Sequence, residues 1–288
     1  MRFLHGAAVL AWLLPICSGD SAAAQEPPAG VRAAGMGGAF TAVADDASAT
    51  VWNPAGLAAG SYFSAVLDRN AFDGSALLVA VGTPPVGIAY YRTATGPLQN
   101  GRNALVAHHA GISLVQSIGF SGVALGATLK VVHGVTSASE SADRLDADFG
   151  VMKTGALGRF GVSVRNARAV AFGTGADQVR LERQVRGGAS LMVTPDLRVA
   201  VDADFTKTTT PKGRWRDAAL GVEDALAARV WIRGGVHWNT ASGGQGAAPI
   251  ATVGTSYAVR GSLMADAQAS VGSAAGARGW GVGLRFVF

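Results

Sequence analysis

Fourteen separate stretches of this chain carry apolar side chains at every second position, with small, polar or charged residues between them. Successive side chains of a strand point to opposite faces, so each stretch reads as a strand with one greasy face. The last, residues 278–288, is the clearest. Trp280, Val282, Leu284, Phe286 and Phe288 share one face, while Gly279, Gly281, Gly283 and Arg285 share the other. A soluble sheet would use that apolar face as core. A membrane barrel would turn it toward lipid and face the glycines and the arginine into a lumen.

The remainder of the chain favours the barrel. Alternation between Gly, Pro, Asn and Asp punctuation places strands at 61–69, 75–82, 86–92, 104–116, 120–132, 145–154, 159–166, 184–194, 197–206, 215–223, 228–238, 249–258, 260–271 and 278–288. Fourteen is an even number, as single-chain bacterial barrels prefer. Twelve stays open, because 75–82 and 86–92 are brief and the Pro84-Pro85 turn between them is tight. No stretch approaches the ~20 apolar residues of a spanning helix, and no amphipathic helix offers to cover a sheet. Charged residues make up 15% of the chain, against ~25% in ordinary soluble domains. The expected fold is all-β, a transmembrane antiparallel β-barrel of about fourteen strands over residues 61–288. Its final strand, with Trp280, Val282, Leu284, Phe286 and Phe288, reads as an assembly signal for barrel-assembly machinery. Residues 133–144, 167–183 and 208–213 are expected as the extracellular loops, since the longer connections of such barrels face outward.

The front of the chain reads as an export leader. Arg2 is followed by a short apolar run from Ala7 to Ile16, and Ala22-Ala23-Ala24 offers a cleavage site after Ala24. Ile16 before Cys17 argues against lipidation. Cys17 is the sole cysteine, so a chain cleaved after residue 24 has neither a disulfide nor a thiolate metal site. The net charge of +5 comes from arginines scattered over strands and turns. Without a polybasic cluster or a dedicated motif, it points away from nucleic acid and toward lumen and rim chemistry.

Parity along the strands sends Arg198, Asp202, Asp204, Asp217, Glu223, Arg229, Arg233, Asp266 and Arg285 inward, with both signs on neighbouring strands. Cross-strand pairing is the expected role, with a selective polar constriction as the alternative. Trp215, Trp231, Trp238, Trp280, Tyr62, Tyr90, Tyr91 and Tyr257 read mostly as girdle anchors at the lipid boundary. Enzymatic hydrolysis fares poorly. His108, His109, His133 and His237 lie in or at strands without a triad pattern. Adjacent His108 and His109 point to opposite faces and cannot pair on a metal. No cofactor and no metal are expected.

One stretch does not read as barrel: Val31 to Gly60. Gly35, Gly37 and Gly38 permit close approach or positive φ. Asp46 is placed to cap a helical turn from Ala47 to Val51, Asn53 must extend ahead of Pro54, and Gly56 offers a stop. Asp45, Asp46, Trp52, Asn53, Pro54 and Gly56 are the residues expected to organise it, as fold chemistry or as a gate. Residues 35–58, with the Ala44-Asp-Asp-Ala47 lead-in and the Asn53-Pro-Ala-Gly-Leu57 core, resemble the amino-terminal hatch of the FadL-like outer-membrane proteins, and especially the PorV/PorQ branch. The resemblance covers about twenty-four residues. It implies that residues 25–60 plug the periplasmic side of a fourteen-stranded barrel. The chain is much shorter than the long-chain fatty-acid transporters, so their substrate specificity does not carry over.

Two functions follow as expectations. The first is an outer-membrane channel passing small hydrophobic molecules that a polar lipopolysaccharide layer would stop. The alternative is a PorV/PorQ-like component of type IX secretion, an anchor or shuttle presenting loops to a partner protein. Outer-membrane lipid is the expected surrounding in either case.

Overall fold

The computed structural model describes residues 22–23, 29–71, 74–95, 104–119, 121–175, 178–210, 213–241, 249–272 and 278–288. The expected leader, residues 1–24, lies outside them except for Ala22–Ala23, which run parallel to Val179–Arg180.

Fourteen strands close into one barrel. They are β1 (Ser64–Ala71), β2 (Gly74–Thr83), β3 (Val86–Thr95), β4 (Leu105–Ile118), β5 (Val123–Thr136), β6 (Ser141–Thr154) and β7 (Gly158–Arg165). They continue as β8 (Gln184–Met192), β9 (Leu197–Asp204), β10 (Asp217–Ala227), β11 (Val230–Asn239), β12 (Ile250–Arg260), β13 (Leu263–Gly272) and β14 (Arg278–Val287). Each is antiparallel to the next, and β14 returns to pair with β1 through Val282 opposite Arg69 and Leu284 opposite Leu67. No edge is left to solvent, which is the condition for a sheet to cross a bilayer. The twelve-strand alternative is set aside, because 74–83 and 86–95 are full strands of ten residues each.

The faces follow the parity read from the sequence. Trp280, Val282, Leu284 and Phe286 are 51, 51, 47 and 40% exposed on the outer wall. Large apolar side chains stand exposed around the circumference, from Leu67 and Ile88 through Leu129, Phe149, Phe160 and Val201 to Val253. A wall of that kind is solvated by acyl chains, not by water.

Connections differ between the two ends. Residues 84–85, 119–122, 155–157, 193–196, 228–229 and 261–262 make tight turns at one end, together with the start of β1. Residues 166–183, 205–216 and 240–249 make the long connections at the other. The loop expected at 133–144 is shorter than its polarity suggested. β5 runs to Thr136, β6 begins at Ser141, and Ser139 takes a φ of 67° in the turn between them. Beyond the apolar band the outer face of a barrel turns polar, so Ser141 and Asp143 continue the ladder opposite Val135 and His133. β4, β5 and β6, with fourteen residues each, exceed the ~9–11 that span a bilayer. Against this tall wall leans the 166–183 loop, where Ala171–Phe172 pair with Val179–Arg180. Phe172 packs over Gly134, and Val170 and Leu181 join Leu105 and Val132 in a buried apolar cluster inside the mouth.

Candidate functional site

Residues 29–60 fill the lumen toward its tight-turn end. Two short helices, α1 (Val31–Gly35) and α2 (Ala49–Trp52), and a 3-10 turn at Pro54–Ala59 supply its regular structure. Helices this short are marginal alone, so the barrel wall holds them. The helix expected from Ala47 begins two residues later, at Ala49 with Ser48 as its N-cap, so Asp46 lies ahead of the cap and steadies it: its carboxylate accepts from the Ser48 amide at 2.9 Å and from the Ser48 hydroxyl. Asn53 is extended ahead of Pro54, with φ −154° and ψ 100°, and its Oδ1 accepts from the Ala55 amide at 3.2 Å. Its Nδ2 donates to the carbonyls of Thr41 and of Val151 on β6. Gly56 does not stop a helix; it lies inside the 3-10 turn, where any Cβ would collide with the Ala44 carbonyl.

The wall receives this segment on a ring of inward glycines. Gly126 on β5, Gly150 on β6, Gly161 on β7, Gly221 on β10, Gly235 on β11 and Gly254 on β12 each face the segment's backbone or Asn53. At Gly126 a side chain would overlap Pro54 and Ala55, and at Gly235 it would overlap Met36 and Gly37. Glycine is required there by close approach, since the strand dihedrals suit any residue.

Charge does the fastening. Arg32 donates from Nε and Nη2 to the two Glu223 oxygens at 2.9 and 2.7 Å. Its Nη1 meets Asp45 at 2.6 Å and Asp46 at 3.1 Å. From the wall, Arg159 reaches Asp45 at 3.0 Å and Arg198 at 3.4 Å. Glu223 also accepts from Arg233 Nε at 2.6 Å. Asp266 accepts from Arg285 Nε at 3.1 Å, with Ser256 donating to it as well. Five guanidiniums and four carboxylates thus form one buried network at the tight-turn end. Burial pushes the Asp45 carboxyl up, but Arg32, Arg198 and Arg159 outweigh it and hold it down at about 2. Burial likewise disfavours the Arg32 cation, yet Glu223 and Asp45 keep its pKa well above the ordinary arginine value.

A second group sits nearer the long loops. Arg186 bridges Asp202 at 3.0 Å, Asp204 at 2.9 Å and Asp217 at 3.2 Å, and donates to the Gly38 carbonyl at 3.0 Å. Asp202 accepts the amides of Phe40 and Thr41 at 3.1 and 2.9 Å, and His237 lies 3.2 Å from Asp217. Trp52 is clasped between the groups. Arg165 and Arg186 approach its ring at 5.8 and 6.0 Å, Phe40 meets it edge-on, and its Nε1 donates to the Ala29 carbonyl at 2.7 Å.

Eight of the nine charges assigned to the lumen by parity lie in it. Arg229 does not: it is exposed in the two-residue turn at 228–229. Parity stops counting at a turn, where no ladder holds the side chain to one face. Tyr91, read as a girdle residue, is buried in the lumen and stacks on His109 at 4.0 Å. The ordered alternation of β7 and β8 also carried Arg159 and Arg186, which went unread, and that of β5 and β6 carried the buried Lys130–Asp148 pair at 2.7 Å. Arg32 has no periodic signal at all. Among the described residues no group of three or more metal-ligating side chains forms.

On the outer wall, a hollow of about 520 Å³ lies between Phe160 and Phe205, with Gly187 and Ala189 in its lining. The ladder behind it is unbroken, β7 pairing β8 through eight successive rows. It is a dent in the wall and not an opening into the lumen.

No family model matches the chain, and no curated protein matches it by sequence. Solved structures do. The chain is similar to the CymD monoaromatic hydrocarbon channel, with a TM-score of 0.68 at 13% identity over 90% of this chain and 97% of that one. It is similar to the TodX toluene transporter of Pseudomonas putida, with a TM-score of 0.63 at 11% identity over 92% of this chain and 98% of that one. A FadL homologue of Pseudomonas aeruginosa gives 0.63 at 10% identity over 92% and 100%. The fold is therefore the one these structures share, a closed fourteen-stranded antiparallel barrel.

Proposed function

We propose that the chain is an outer-membrane channel for small hydrophobic molecules, and that residues 29–60 are its hatch. The observation that carries this reading is the pairing of a sealed polar lower lumen with an apolar mouth. A porin for hydrophilic solutes needs a water-filled bore; here the bore is occupied by protein. The mouth instead packs Leu105, Val132, Val170, Phe172 and Leu181 into a closed apolar cluster, and an apolar solute leaves water favourably there only once the 166–183 loop parts from the wall. Similarity to channels described for monoaromatic hydrocarbons and toluene supports the same class of solute. The tight turns then face the periplasm and the long loops the cell exterior. Passage requires the hatch to shift, since the wall beside it is closed.

A reversible lock tests this. Cβ atoms built at Gly35 and Gly254 would each lie 3.1–3.2 Å from the other residue's Cα, tighter than a relaxed disulfide sets its carbons, so the bond forms as the hatch and β12 part slightly. The variant also replaces Cys17, so that the engineered pair stands without competing thiols. The Gly35→Cys/Gly254→Cys variant, oxidised in liposomes, should lose uptake of a monoaromatic hydrocarbon and regain it with reductant. Flux no greater than that of protein-free liposomes would sink the channel reading, and unchanged flux in the oxidised state would sink the moving hatch. The secretion alternative rests on the PorV/PorQ-like residues 35–58. It predicts the reverse pattern: no flux to block, and a partner protein recovered in mild detergent.

A further inference from the structure

The outer wall carries a row of ionisable side chains where a lipid-facing surface should carry none. Register aligns Arg69 of β1, Leu77 of β2, Arg92 of β3, His108 of β4, His133 of β5 and Asp143 of β6. They face outward, because Asp68, Asn70, Tyr91, Thr93, His109 and Val132 beside them in the chain are buried inside. Each charged member lies two or three residues from the long-loop end of its strand.

The row one step toward the tight-turn end holds Leu67, Val79, Tyr90, Ala110, Val131 and Leu145, apolar but for one phenol. That phenol points at the charged row, its hydroxyl 2.8 Å from His108 Nδ1. His133 Nδ1 lies 2.8 Å from the Asp143 carboxylate, and the two imidazole rings meet edge-on at 6.1 Å. Arg69 and Arg92 have no carboxylate partner among the described residues.

A guanidinium stays charged in any protein setting. On the lipid face it costs about 2–4 kcal/mol at mid-bilayer and about 0–1 kcal/mol at the interface. Two guanidiniums in one row, with no carboxylate partner among the described residues, therefore mark the level at which hydrocarbon gives way to head groups. They stand two strands apart, roughly 10 Å at ~4.8 Å per strand, within reach of one head group. Arginine matches phosphate oxygens bidentately. The imidazoles add donors already oriented by Tyr90 and Asp143.

We infer that Arg69, Arg92, His108 and His133 form a binding site for the phosphorylated head group of an outer-leaflet glycolipid. It depends on the long-loop end facing the cell exterior and is independent of what crosses the lumen.

The test uses the full chain in detergent, titrated with lipopolysaccharide bearing its lipid A phosphates and with the same lipid after enzymatic dephosphorylation. Native mass spectrometry counts lipid per barrel. Wild type should retain the dephosphorylated lipid about tenfold more weakly, as expected for loss of charge-assisted contacts. The Arg69→Gln/Arg92→Gln variant should show the same drop with the phosphorylated lipid, while solute flux through the lumen is unchanged. Equal retention of both lipids by wild type overturns the inference. So does full retention by a double variant that still migrates as a heat-resistant barrel. Should the double variant not fold, the comparison of the two lipids on wild type decides alone.

Discussion

Arg32 and Glu223, 191 positions apart in the chain, are joined by two parallel hydrogen bonds of 2.9 and 2.7 Å. This fork is the point at which the inner segment and the barrel wall become one structure. Removing one member of a buried pair leaves the other charge stranded, which costs about 3–5 kcal/mol. Arg32→Gln should therefore unseat the hatch while the strands remain paired. Planar-bilayer recordings should show frequent openings that wild type lacks. A conductance trace as quiet as wild type would mean that the fork does not hold the hatch.

Acid should release the same fastening, in a window set by Asp45. Its carboxyl is held at about 2, below an ordinary value of 3.8. A depressed carboxyl contributes its full stabilisation above the unfolded value and loses it as pH falls through the folded one. The hatch should stay seated down to about pH 4 and loosen between about pH 4 and 2. Asp45→Asn should display at neutral pH some of the openings that wild type shows near pH 2, with a flatter acid limb. Bilayer conductance as a function of pH measures both.

Gly126 offers a steric test that leaves every charge in place. A leucine there would occupy the space of Pro54 and Ala55, and overpacking of this kind typically costs about 1–3 kcal/mol. Hydrogen exchange over residues 31–58 should rise in Gly126→Leu while exchange across β5 and β6 stays slow. Uniform protection of both would show that the hatch adapts without leaving its seat.

The outer face has its own signature. Leu284 is 47% exposed and paired between Leu67 and Ala265. Leu284→Arg should lower the free energy of unfolding from liposomes by up to about 2–4 kcal/mol, depending on depth. Denaturant titration against vesicles reads the difference.

Much of this architecture was legible in the chain. All fourteen strands lie within a few residues of where the alternation put them, because a wall solvated by lipid on one side and filled on the other leaves little freedom at either parity. The same rule places Asp202, Asp204, Glu223 and Asp266 inward. It does not give their partners. Arg32 belongs to a segment too short and too small in its side chains to carry a period. Its link to Glu223 exists only once the sheet has curled. Asp143 misled for the opposite reason: a polar stretch reads as loop in a soluble protein, whereas at a barrel mouth it is still ladder. Pro54 and Gly56 were recognisable as turn chemistry. What stayed invisible was that the wall opposite them had been cleared of side chains.

That clearance bears on how the molecule comes together. With glycines on six strands pressed against the inner segment's backbone and Asn53, and β14 sealing against β1, no sideways gap remains through which the hatch could later slip. It has to be enclosed as the cylinder shuts, or threaded in from the tight-turn rim. In either case, the order of events during insertion is written into the absence of methyl groups along the bore.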